Sequence, residues 1–391
     1  MTLLALSLVQ AVTAKPAPSV PKNEFTFVIL GDSQFSHPEV YNRVIDQVAL
    51  VNPSFVIQVG DMIRGYTDTD HKFRAEWSRF KAQLAPLGKI PFYPVPGNHD
   101  VMDASRVPGG ANVYQETWGD LYYGFDYKNA HFTVLDTDQA GALRSVSGKQ
   151  LDWLKRDLRK AQRKAHRFVF FHRPMASLKN SDALHALFLE HKVTAVIYGH
   201  LHHYHHYVQD GIPYIVTNAA AWMGTDYAEA GSFHHYLLAT VRDNDFTYAI
   251  VKEGGVLPPG IVSPEDNDGL FGLNRRLLTT KDAVFDSLES SGSGKAVAIK
   301  LSNPTKQELH VYLEWELPNL RWSVAPLKGT LATLQPKTEA HSVPFQLHYS
   351  GTTTPEAYPS CVLKALYLTH DGDWITTESI FNILAKPEKK E

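Results

Sequence analysis

The sequence predicts a chain in two parts, an α/β unit followed by an all-β one. Three observations predict it. Short apolar runs alternate with helically spaced stripes through the first half; Gly, Pro, Asp and Asn crowd residues 252–270; period-two alternation takes over from about residue 271. At 391 residues the chain is long for one core, which agrees with a division. The expected segments are 1–23, a processing signal and linker; 24–251, the α/β unit; 252–270, a linker; and 271–385, a β-sandwich of immunoglobulin-like type.

The α/β unit opens on Phe25 to Leu30, the pattern of a buried strand, which ends in Gly31-Asp32-Ser33-Gln34. Ser36 and Glu39 have capping-box spacing before a helix carried by Tyr41, Val44, Ile45 and Val48. Phe55 to Val59 is a second buried strand, ending in Gly60-Asp61. Phe73, Trp77, Phe80 and Leu84 mark the next helix, and Phe92 to Val95 leads into Pro96-Gly97-Asn98-His99-Asp100. Tyr122 to Tyr127 and Phe132 to Leu135 read as a hairpin turning at Lys128-Asn129, where Asn tolerates the turn. After the helix of Leu151, Leu154 and Leu158, the strand Phe168 to Phe171 ends at His172-Arg173-Pro174. The strand Ala195 to Tyr198 ends in Gly199-His200-Leu201-His202. Tyr214 to Val216, Tyr236 to Val241 and Phe246 to Val251 read as closing, mostly antiparallel strands.

Composition narrows the function classes. A formal net charge of −3 gives no electrostatic footprint for nucleic acid. The single cysteine, Cys361, excludes an internal disulfide and a thiolate-rich metal site, whereas nineteen histidines favour harder divalent ions. Leu3 to Val12 is largely apolar and Val12-Thr13-Ala14 resembles a signal-peptidase site, although Met1-Thr2 brings no positive charge. Export, periplasmic or secreted, is the expectation, with a cytoplasmic location if that segment is not a working signal. No later run is long enough for a transmembrane anchor.

Five runs read as strands therefore end in Asp, Asn, Gln or His. Gly97-Asn98 alone is ordinary turn chemistry. Its weight comes from the other four strand ends, because functional groups in such sheets gather beyond the strands' carboxyl ends. The inventory is Asp32, Gln34, Asp61, Asn98, His99, His172, His200 and His202. That is an oxygen and nitrogen set with more ligands than one ion needs, so two divalent ions (Mn, Fe or Zn) are expected.

This ordered series resembles the calcineurin-like metallophosphoesterases over roughly residues 24–251. The resemblance implies a four-layer αββα sandwich with a binuclear centre at the strand ends. Carried over by motif, Asp32, Gln34, Asp61 and His202 would hold one ion. Asp61 would bridge, and Asn98, His172 and His200 would hold the other. A bridging hydroxide would attack phosphorus while His99, oriented by Asp100, protonates the leaving oxygen. Gln34 departs from the His of many members; the Asp-x-Gln variant resembles the calcineurin-like phosphoesterase domain-containing group, which acts on phosphoprotein-type monoesters. The tyrosine that purple acid phosphatases place just after Gly-Asp is not in that position here.

The expected activity is hydrolysis of a phosphomonoester, with diester, pyrophosphate or a non-catalytic binding module as alternatives. Arg64, Arg173, Tyr204 and Trp222 are candidate substrate contacts. The C-terminal part could contact a surface or polymer.

Overall fold

The computed structural model describes residues 22–101, 109–285, 295–326, 330–351 and 355–385. The expected signal segment lies outside them, as does most of the loop after Val101. The first part has strands β1 (Glu24–Leu30), β2 (Val56–Gln58), β3 (Phe92–Pro94), β4 (Tyr123–Tyr127), β5 (Ala130–Val134) and β6 (His166–Phe170). It continues with β7 (Ala195–Tyr198), β8 (His205–Gln209), β9 (Ile212–Val216), β10 (His235–Arg242), β11 (Asp245–Lys252) and β12 (Gly255–Leu257). Its helices are α1 (Pro38–Val51), α2 (Asp70–Gln83), α3 (Asn98–Val101), α4 (Gly110–Trp118), α5 (Gly148–Lys160) and α6 (Ser181–Glu190).

Two six-stranded sheets form, in the orders β12-β11-β10-β1-β2-β3 and β4-β5-β6-β7-β9-β8. Strands β1, β2 and β3 run parallel, as do β5, β6, β7 and β9, while β10 joins β1 antiparallel. Strand alternation decides the layers. Phe27, Ile29, Phe55 and Ile57 of one sheet meet Phe132, Phe168, Phe170 and Ile197 of the other in a single core. Phe27 and Phe55 stack on one sheet with centroids at 5.2 Å, Phe132 and Phe168 stack on the other at 5.2 Å, and Phe55 meets Phe132 edge-on across the gap at 5.1 Å. The opposite faces are covered by helices. Val28, Leu30 and Val56 pack on Ile45, Phe73 and Phe80 of α1 and α2. Val169, Val196 and Tyr198 pack on Leu154, Leu158, Leu184 and Phe188 of α5 and α6. The order is helix, sheet, sheet, helix.

The C-terminal region contains β13 (Asp282–Phe285), β14 (Lys295–Leu301), β15 (Leu309–Glu316), β16 (Trp322–Ala325), β17 (Thr330–Leu334), β18 (His341–Tyr349), β19 (Ser360–Leu368) and β20 (Trp374–Ala385). They build sheets β13-β20-β19-β15-β17 and β14-β18-β16 around one apolar core.

Three local expectations need correction. The segment 252–270 is more than a linker, because β12 extends the first sheet and α7 (Pro264–Arg276) follows. Ser263 caps α7 by accepting the Asp266 N–H at 3.0 Å, and Pro264 sits in its first turn, where a missing N–H costs nothing. The Ser36/Glu39 capping box does not form: α1 begins at Pro38 with His37 as N-cap and no side-chain bond. In the β4–β5 turn Lys128 takes the left-handed backbone, and Asn129 donates its amide to the Asp243 carbonyl instead. Among the described residues no helix is long and apolar enough to cross a membrane.

Candidate metal centre

The parallel strands of both sheets deliver their polar ends to one place. Asp32 follows β1, Asp61 follows β2 and Asn98 follows β3; His172 follows β6, and His200 and His202 follow β7. Two ligand groups result, Asp61–His172–His200 and Asp32–Asp61–His202, with donor atoms in each within 4.8 Å of one another. Asp61 belongs to both. Its Oδ2 lies 3.0 Å from His172 Nε2 and accepts Gln34 Nε2 at 2.8 Å, while Oδ1 accepts the His99 N–H at 2.9 Å. Asp32 Oδ2 lies 3.2 Å from His202 Nε2, and both Asp32 oxygens accept the His200 N–H.

The glycines of the motifs permit this closeness. A Cβ on Gly97 would stand 2.3 Å from both the nitrogen and the Oδ1 of Asp61; on Gly199 it would stand 2.2 Å from Asp32 Oδ1. Backbone strain concentrates here as well. Gln34 (φ 48°), Asp61 (φ 50°), His200 (φ 71°) and His202 (φ 58°) all occupy the left-handed region. Such residues cost about 1–3 kcal/mol each, and they persist where surrounding structure fixes a functional geometry.

One atom tests whether cations suit the site. Asn98 is buried, and its Nδ2 donates to the Tyr66 hydroxyl at 3.0 Å. Its Oδ1 is buried and has no hydrogen-bond partner among the described residues. An orphaned buried acceptor is unfavourable by about 1–3 kcal/mol, and between Gly97 and His99, which both adjoin Asp61, a divalent ion would satisfy it. His172 is prepared in the same sense: Nδ1 meets the Val59 carbonyl at 2.8 Å, which turns Nε2 toward Asp61. The residues fit two divalent cations.

Electrostatics agree. Burial alone would raise the Asp61 carboxyl, but the charges of His172 and His99 hold it well below the usual carboxylate range. Burial disfavours charge on His172, yet Asp61 and Asp32 outweigh it and push the imidazole up to about 10. His200, with Nδ1 3.2 Å from His172 Nε2, goes the other way, to about 3, through burial and repulsion from His172. Buried carboxylates that draw this much positive charge are an attractive seat for cations.

The other expected site residues divide. His99 Nδ1 contacts the Arg64 carbonyl, so that Nε2 faces the centre, 3.9 Å from Asp61 Oδ2. Asp100 does not brace it. Its oxygens accept the backbone N–H groups of Met62 (2.9 Å), Ile63 (3.3 Å) and Gly97 (2.9 Å), tying the Asp61 loop to the Asn98 loop. Arg64 is exposed beside His99. Arg173 is nearly buried and held by Asp138, at 2.7 Å through Nε and 2.6 Å through Nη2. Tyr204 is not at the mouth: it is fully buried, and its hydroxyl bonds to Tyr248 and the Pro259 carbonyl. Trp222 is 65% exposed on the loop after β9.

Tyr66 is the residue the motifs missed. It stands five positions beyond Asp61, and Gly65 (φ 57°) lies so close to the His99 carbonyl that a Cβ would fall 1.9 Å from it. That contact folds the Tyr66 ring against His99, with centroids 4.6 Å apart. Asn218, also unpredicted, donates to the His202 carbonyl at 2.9 Å.

Known proteins are similar to this chain in part. The family model for calcineurin-like phosphoesterases matches residues 25–204. A serine/threonine-protein phosphatase CPPED1 of Rattus norvegicus is 27% identical over 161 residues, 39% of this chain and 50% of its own length. The probable inactive purple acid phosphatase 9 of Arabidopsis thaliana is 27% identical over 229 residues, 46% of this chain and 34% of its own. The chain thus spans half or less of the length of these two curated relatives. A solved dimetal phosphatase of Danio rerio superposes with a TM-score of 0.44 at 16% identity, covering 60% of this chain and 98% of that one. With the fold, the ordered motifs and the family match together, residues 25–204 form a calcineurin-like phosphoesterase domain.

Proposed function

We propose that the protein is a phosphatase, hydrolysing phosphomonoesters with two divalent cations. The observation that carries this reading is the place of Asp61 in both ligand groups; the Oδ1 of Asn98, without a partner among the described residues, supports it. Asp32, Asp61 and His202, with Gln34 adjoining, would hold one cation; Asp61, Asn98, His172 and His200 would hold the other. Cations there supply Lewis acidity toward phosphoryl oxygens and acidify water.

The chain's own groups supply the rest. His99 presents Nε2 to the centre, and the Arg64 carbonyl on Nδ1 fixes the ring so that a proton is delivered from Nε2 to the departing oxygen. Tyr66, against the His99 ring, restricts that ring's rotation. Arg64, exposed beside the centre, is the group available to a substrate phosphate. Trp222 offers an apolar wall on the exposed side. The apolar run at residues 3–12 supports export, with a cytoplasmic location if that segment is not a working signal.

The test is turnover of 4-nitrophenyl phosphate and bis(4-nitrophenyl) phosphate with Mn²⁺, Fe²⁺ or Zn²⁺. Monoester hydrolysis should depend on added metal, stop with EDTA and vanish in Asp61→Asn. Metal uptake without turnover of either ester would make the domain a binding module instead.

A further inference from the structure

Helix α7 stands between the two parts of the chain. One face belongs to the C-terminal core: Leu270, Leu273 and Leu277 pack with Ile299, Leu301, Leu363 and Phe381. Gly269 lies so close to Tyr367 that a Cβ would stand 2.5 Å from its hydroxyl oxygen. The other face reaches the phosphoesterase domain. The Phe271 ring packs on the His203 ring, with centroids 4.5 Å apart, and Arg275 covers Phe271 at 5.5 Å. Asn267 Nδ2 donates to the Ala230 carbonyl at 2.7 Å, and Asn274 Nδ2 to the Gly224 carbonyl at 2.9 Å.

The positions touched are significant. His203 follows the ligand His202 directly, and its Nδ1 bonds to the Leu201 carbonyl at 2.8 Å, inside the ligand loop. The Tyr204 N–H donates to the Gly231 carbonyl at 2.8 Å, and Ala230 beside Gly231 is the residue held by Asn267. Thus α7 holds His203, the residue after the ligand His202, directly through Phe271, and reaches Tyr204 indirectly through residues 230–231. His203 is buried and its Nε2 has no hydrogen-bond partner among the described residues, so the Leu201 carbonyl on Nδ1 and ring packing by Phe271 fix this side chain.

We propose that Phe271 is a positioning residue for the metal-ligand loop, which makes α7 and the C-terminal β region a working part of the phosphoesterase site. The proposal rests on the metal-centre reading in its statement about ligands, and its first readout is independent of metal. It assigns the C-terminal region a supporting role for the site, in place of targeting alone.

The experiment compares full-length wild type with Phe271→Ala and the milder Phe271→Leu. Phe345→Ala, which opens the same C-terminal core away from α7, controls for general destabilisation. In metal-free protein, amide hydrogen exchange at Leu201–Tyr204 should quicken in Phe271→Ala and, less, in Phe271→Leu, but not in Phe345→Ala. Mn²⁺ affinity should fall about 10–100-fold, the range for residues that orient ligands, with activity recovering at excess Mn²⁺. Exchange at Leu201–Tyr204 that is unchanged, or raised equally in Phe345→Ala, overturns the proposal whatever the metal data. A wild type that takes up no Mn²⁺ sinks the metal-centre reading, and hence the ligand role of the loop; the exchange result then still decides whether Phe271 braces it.

Discussion

Gln34 Nε2 donates to Asp61 Oδ2 at 2.8 Å, so Gln34 touches the carboxylate shared by both groups. In this geometry Gln34 orients Asp61 through its amide nitrogen. Gln34→Ala should weaken Mn²⁺ binding by about 10–100-fold without abolishing it. Gln34→His should strengthen binding, since an imidazole is the better ligand. Calorimetric titration with Mn²⁺ reads both; no change in Gln34→Ala would reduce the residue to a space filler.

Asn98 and His99 adjoin in sequence and should separate in function. Asn98→Ala removes the Oδ1 that has no partner among the described residues and should lower metal content toward one ion per chain by elemental analysis. His99→Ala should keep both ions and lose about 10²–10⁴-fold in kcat. Equal metal loss in the two variants would contradict the division.

Gly97→Ala tests closeness itself. The new methyl would overlap Asp61 at its nitrogen and Oδ1, so Asp61 must move. A displacement near 1 Å costs about 10²-fold in rate, and at least that loss is expected with the fold retained by circular dichroism.

The Arg173–Asp138 pair argues against a mobile substrate contact. Removing Arg173 leaves Asp138 buried without its partner, and breaking such a pair costs about 3–5 kcal/mol. Arg173→Ala should therefore lower the unfolding temperature markedly, while Arg64→Ala should leave it unchanged and raise KM. An Arg173→Ala variant of native stability and raised KM would reverse the two roles.

A pH effect is expected far from the metals. His131 lies between Asp126 (2.7 Å) and Asp157 (2.9 Å). Burial opposes its charge, but bonds to Asp157 and Asp126 prevail and raise its pKa above the ordinary 6.5. A raised value in the fold means stability fully present below pH 6.5 and lost as pH climbs through the raised value. The gap in unfolding temperature between wild type and His131→Gln should be widest below pH 6.5 and narrow above it.

Strand ends were legible because an apolar run followed by Asp, Asn or His is a strong local contrast. The partner of His99 was not. Asp100 adjoins it in sequence, but both lie in α3, where neighbouring side chains point about 100° apart and cannot brace each other. Tyr204 misled in the same way, since its place in a histidine run says nothing about which face turns inward. Tyr66 left no signal, because the contact of Gly65 with the His99 carbonyl joins residues distant in sequence. Helix α7 did leave one: Ser263-Pro264-Glu265-Asp266 is a helix start that the surrounding Gly and Pro obscured.

The aromatic layer between the sheets has a consequence at the metal centre. Asp32, Asp61 and Asn98 ride on one sheet, and His172, His200 and His202 on the other. Their separation is therefore set by what fills the gap, and Phe27, Phe55, Phe132 and Phe168 fill it. The rings act as a shim. Thinning it by Phe132→Ala, at about 3–5 kcal/mol, would change the bite of a site to which none of these rings contributes a ligand.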